Sequence, residues 1–147
     1  MWHKIRYSHF PQEATPAFPA GRDCARPVLK VTLANGARHL TCYALVDSGA
    51  DNCFFPLSFA SAIGLNPAVG APDTASGLGG DDVNTYYCTL RIHLDGIAEY
   101  DLNVGFTDGL ERLGMGLLGE CGFFDRFNVA FNRREGFFYV ETDSHPG

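Results

Sequence analysis

From Tyr86 to Leu94 every second residue is apolar: Tyr86, Cys88, Leu90, Ile92 and Leu94. That spacing turns one face of an extended strand toward a core and the other toward water. The segment Val83–Leu94 therefore reads as a strand, Asp95-Gly96 as a hairpin turn, and residues 97–106 as the returning strand. The same pattern occurs earlier. Residues 28–33 form a strand, Asn35-Gly36 the turn, and residues 37–46 the return. Cys53-Phe54-Phe55-Pro56 reads as a short buried strand stopped by proline, and residues 128–132 and 137–140 as a final hairpin. Helical pattern is confined to residues 57–63, ended by Gly64, and to a second short helix at about 120–127. The expectation is an all-β chain with Greek-key or barrel-like closed sheets and one or two short helices.

A chain of 147 residues, 46% of them apolar, suffices for one domain with its own core. Residues 1–22 read as an N-terminal arm, either an edge strand or disordered, because Pro11, Pro16 and Pro19 exclude a regular helix. Residues 23–147 are the domain proper. Residues 66–75 and 107–116 read as loops. A net charge of −6 without a Lys/Arg cluster argues against a nucleic-acid partner, and no apolar run has the length of a membrane span. The opening Met1-Trp2-His3-Lys4-Ile5-Arg6 lacks the apolar centre of a secretory signal, so a cytoplasmic location is expected. Five dispersed cysteines fit reduced thiols better than a disulfide framework. No metal-ligand spacing occurs among the cysteines and histidines, so no metal and no cofactor are expected.

Chemistry concentrates in three places. Asp47-Ser48-Gly49-Ala50-Asp51 follows the apolar run Ala44-Leu45-Val46, which puts a carboxylate on a tight turn leaving a buried strand. Gly77-Leu78-Gly79-Gly80 lies about thirty residues on, between strand-like segments. Leu117-Leu118-Gly119 then precedes the second short helix. In this order and spacing the three resemble the retropepsin family, the single-domain aspartic proteases of retroviruses and their cellular relatives. The resemblance covers roughly residues 27–141.

The resemblance implies an acid-protease fold with a flap hairpin. It implies Asp47 as the catalytic aspartate, Ser48 as the hydroxyl that bonds across a dimer axis, and Gly49 beside the substrate backbone. Ala50 and Asp51 would line the cleft, and Gly77, Leu78 and Gly79 would form the flap tip over the substrate. Leu117-Leu118-Gly119 would pack beneath the catalytic turn. Peptide hydrolysis by carboxylates needs two of them, sharing one proton. The chain has one such triplet, so this reading requires a homodimer that hydrolyses extended peptides, one Asp47 from each subunit.

Two positions depart from the retroviral pattern. Glu120 stands where an arginine pairs with the second aspartate, leaving Arg112, Arg126 or Arg133 as candidate partners for Asp51. Asp81-Asp82 follows the glycine-rich tip, where retroviral flaps are apolar, so activity is expected to favour acid. Asp51 and Glu120 also read as simple solvated carboxylates. Phe123, Phe124 and Phe127 read either as core or as subunit interface. The alternative function is a non-catalytic peptide-binding or dimerisation module on the same fold.

Overall fold

The computed structural model describes residues 1–66, 71–75 and 83–143. Its central feature is a closed ring of six strands. In chain order these are β4 (Val28–Asn35), β5 (Arg38–Val46), β6 (Phe54–Pro56), β8 (Val83–Leu94), β9 (Ala98–Thr107) and β10 (Gly116–Leu118). Around the ring they run β4-β5-β10-β6-β9-β8, and β8 closes onto β4. β7 (Ala71–Ala75) adds to the outer edge of β8. A three-stranded sheet, β1-β12-β11, is built from Trp2–Arg6, Phe137–Glu141 and Asn128–Asn132. Strands β2 (Ser8–Gln12) and β3 (Arg22–Arg26) pair with each other as a ribbon.

The period-two pattern does what its spacing dictates. Leu90, Ile92 and Leu94 of β8 are buried, as are Val31 and Leu33 of β4 and Cys42, Ala44 and Val46 of β5. They join Phe55, Phe106, Phe123 and Phe138 in one core. Each buried Val, Leu, Ile or Phe among them contributes about 1.5–3 kcal/mol on leaving water. Both hairpin turns form as read, with Gly36 at φ 59° and Gly96 at φ 72°, the left-handed conformations such turns require. Helix α1 spans Leu57–Ala62 and ends before Gly64 at φ 73°.

Three local expectations change. Residues 71–75 form strand rather than loop, paired antiparallel with β8 from Ala71↔Tyr87 to Ala75↔Val83. Pro72 is tolerated there because β7 is an edge strand, where a missing N–H costs no ladder bond. The helix expected at 120–127 is a short turn, Glu120–Phe124, with non-helical backbone at Cys121 and Gly122. Gly122, at φ 108°, breaks the helical path. Gly116, at the end of the expected loop 107–116, opens a three-residue strand with Leu117-Leu118. Residues 1–22 carry β1 and β2: β1 pairs with β12 from Trp2↔Glu141 to Arg6↔Phe137. Phe123 is fully buried and packs edge-on against Phe124, with ring centroids 5.3 Å apart. Phe124 and Phe127 are partly buried against the same core.

Candidate active site

β5 and β10 run parallel, with Leu118 beside Val46, and both end at the same point of the barrel. The chain leaves β5 into the Asp47 turn. Backbone bonds hold its start: the Val46 N–H donates to the Pro27 carbonyl at 2.9 Å, and the Asp47 N–H donates to the Leu118 carbonyl at 2.9 Å. The turn is then fixed by its own carboxylate. Asp47 Oδ1 accepts the Gly49 N–H at 2.9 Å, and the Ala50 N–H donates to the Asp47 carbonyl at 3.2 Å. This is an Asx-type turn, in which a short polar side chain replaces a backbone acceptor.

The segment after β10 completes the support. The Glu120 N–H donates to the Ala50 carbonyl at 2.8 Å, and the Cys121 N–H to the Asp51 carbonyl at 2.9 Å. Gly119 makes that approach possible. A Cβ on it would lie 2.3 Å from the Asn52 carbonyl oxygen and 2.4 Å from that of Ala50. No side chain fits such a gap. Gly116 is similarly constrained, since a Cβ there would meet the Phe55 ring at 2.4 Å. Asn52 reaches β8 through its Nδ2, which donates to the Tyr87 hydroxyl at 3.4 Å.

Asp47 and Ala50 are half-buried, while Ser48, Gly49 and Asp51 are exposed. A carboxylate on a braced turn, flanked by an exposed hydroxyl and glycine, can meet a ligand or a second copy of itself. Among the described residues Asp47 and Asp51 make no ion pair. None of the three candidate arginines pairs with Asp51. The Arg126 guanidinium instead lies 4.2 Å over the Tyr100 ring. Beneath the turn, burial pushes the Cys53 thiol up to about 11, against a smaller opposing pull from the Gly119 backbone. Tyr100 is raised by burial as well, and its hydroxyl donates to the Gly122 carbonyl at 2.7 Å. Among the described residues no group of His, Cys, Asp and Glu converges to hold a metal ion.

The structure thus brings Asp47, Ser48, Gly49, Ala50 and Asp51 into one loop over Leu117-Leu118-Gly119. Gly77, Leu78 and Gly79 lie outside the described residues, as do Asp81 and Asp82. Sequence reasoning passed over Gly116 and Asn52, whose roles depend on contacts between segments distant in the chain.

A retropepsin-like fold is what this barrel and its parallel β5 and β10 define. The crystal structure of a retropepsin-like aspartic protease from Rickettsia conorii superposes with a TM-score of 0.56. The match covers 97% of this chain and 96% of that one, at 15% sequence identity. A family model described as "Aspartyl protease" matches residues 29–120, more than half of the chain, with the Asp47 turn and Gly119 inside it. The chain belongs to the aspartyl protease family. No curated protein sequence matches it. Among the described residues no helix is long and apolar enough to cross a membrane.

Proposed function

We propose that this chain is an aspartic endopeptidase acting as a homodimer. The observation that carries the reading is the Asp47 turn. Its half-buried carboxylate accepts the Gly49 amide, and its own backbone N–H donates to the Leu118 carbonyl beneath it. One such turn supplies one carboxylate, and hydrolysis by water needs two. Two copies of the chain meeting at Ser48 and Gly49 would bring the Asp47 pair together. At about 3 Å the two carboxylates cannot both ionise, so they share a proton. The ionised one takes a proton from water as the protonated one polarises the peptide carbonyl. Water is the nucleophile, and no acyl-enzyme forms. Ser48 braces the pair, while Gly49, Ala50 and Asp51 border an extended peptide. Gly77, Leu78 and Gly79 cover the peptide from above, hydrogen-bonding its backbone like an added strand. The chemistry calls for neither metal nor cofactor, and the protein works in the cytoplasm.

The test is cleavage of a diverse peptide pool between about pH 3.5 and 7, comparing wild type with Asp47→Asn at equal dimer content. Wild type cleaves, with its highest rate in the acid half of that range, and the variant loses cleavage at least a thousandfold, in the roughly 10³-fold range of a lost catalytic group. A wild-type dimer that cleaves nothing sinks the protease reading. A second reading, a peptide-binding module, is favoured by one observation: Asp51 has no ionic partner among the described residues, and Glu120 stands where a retroviral arginine would pair with it. Peptide binding equal in wild type and Asp47→Asn, without cleavage in either, would establish it.

A further inference from the structure

A cavity of about 330 Å³ lies between the β2–β3 ribbon and the segment leading into β10. Its lining is Phe10, Gln12, Arg26, Arg112, Leu113 and Met115. Phe10, Leu113 and Met115 give it apolar walls, and the two arginines give it charge. The Arg26 guanidinium sits 5.8 Å over the Phe10 ring, whose π-face favours a cation. The carboxylates nearest in sequence are engaged elsewhere. Glu111 accepts the Ser58 N–H and hydroxyl, each at 2.8 Å, and Asp23 pairs with His9. Among the described residues neither Arg26 nor Arg112 has a carboxylate partner.

Two links run from the cavity lining toward the Asp47 turn. Leu113 packs in the same apolar cluster as Ala50 and Leu45. Arg26 precedes Pro27, whose carbonyl holds the Val46 N–H one residue before Asp47. We infer that this cavity is a substrate subsite for an acidic side chain, glutamate above all, on an otherwise apolar extended peptide. The inference rests on the protease reading for its substrate. Charge complementarity selects the occupant. Two arginines in one lining suit a carboxylate, and apolar walls suit the methylenes that carry it. Met115, flexible at the wall, accommodates the stem. A lysine there would meet two like charges, and a glutamine would leave the arginines unneutralised.

The experiment uses the full chain at about pH 6, where a substrate glutamate is ionised. Apolar peptides carrying Glu, Gln or Lys at each position around the scissile bond are compared by kcat/KM. Wild type should prefer Glu over Gln by about tenfold at one position. Arg112→Gln should bring that ratio toward one, and Arg112→Glu should invert it toward Lys. Cleavage of apolar peptides with no Glu preference at any position overturns the subsite and leaves the protease standing. A preference unchanged in both Arg112 variants overturns it too. If wild type cleaves no peptide, the protease reading fails by itself, and the pocket is read by fluorescence anisotropy of labelled Glu and Gln peptides. Tighter Glu binding that disappears in Arg112→Gln then supports the pocket, and equal binding overturns it.

Discussion

The Asp47 turn and the N-terminal ribbon, which forms one wall of that cavity, are held in opposite ways. The turn is locked by backbone bonds to Leu118, Glu120 and Cys121, over a floor of buried Leu117 and Leu118. The ribbon has one strand pairing, β2 with β3, and residues 11–20 are all exposed. Its contacts are those of a surface: Arg22 over Phe18 at 4.1 Å, and an exposed pair between His9 and Asp23. Such pairs contribute at most about 1 kcal/mol each. On the protease reading the difference separates two tasks. Chemistry needs a carboxylate that does not move, whereas recognition of varied peptides tolerates a wall that adjusts.

The sharpest way to break this contrast is Gly119→Ala. The added Cβ collides with two backbone carbonyl oxygens, neither of which can swing aside like a side chain. The turn must shift, and the Glu120 and Cys121 amides lose their acceptors. A destabilisation of roughly 3 kcal/mol is expected, with cleavage lost even where the protein remains folded. Urea unfolding and the peptide assay read the two effects. An unchanged midpoint with full activity would show that the turn yields after all.

A second test uses alkali on the thiols packed into the core. Burial raises Cys42 from an ordinary 9.0 to about 12 and Cys53 to about 11. The sign follows directly. In the unfolded chain both thiols ionise first, so their contribution is complete below pH 9.0 and is lost as pH climbs toward the folded values. Each costs up to about 1.4 kcal/mol per pH unit, or roughly 2–3 kcal/mol together at about pH 10. Tyr7 and Tyr100, also raised by burial, act with the same sign from 10.0 upward. Stability against pH for Cys53→Ala should fall less steeply between about pH 9 and 10 than for wild type. Parallel slopes would mean that the thiol beneath the turn is not sealed from water.

Much of this division was legible in the residues. Alternation in β8 and the Asn35-Gly36 and Asp95-Gly96 turns located the barrel strands, because sheet burial has a period of two and left-handed turns need glycine. Asp47-Ser48-Gly49 and Leu117-Leu118-Gly119 marked the turn and its floor. The ribbon was harder to read. Pro11 argued against a helix or a central strand, and β2, which pairs only with β3, needs no N–H on its outer side. Residues 71–75 misled for the same reason. The cavity left no pattern at all: Phe10, Arg26 and Arg112 come from three separate segments, and only the closed fold makes them neighbours. Asp51 shows the converse, since none of the arginines that sequence offered as partners comes to it.

Gly21→Ala makes in the ribbon the kind of change that Gly119→Ala makes in the turn. Gly21 sits at φ 71°, and a Cβ there would lie 2.8 Å from the Gln12 carbonyl oxygen. Strain and clash together would disrupt the end of the β2–β3 pairing. The ribbon, however, is a two-stranded unit with an exposed loop, and such units open without unfolding the core beneath. The global urea midpoint should therefore move by less than about 1 kcal/mol, while hydrogen exchange at the β2 and β3 amides accelerates. The Asp47 and Glu120 amides, bonded to Leu118 and Ala50, should keep their protection. Loss of protection at both places together would mean that the ribbon and the turn are one cooperative unit. The arginine-lined wall would then be as fixed as the Asp47 carboxylate.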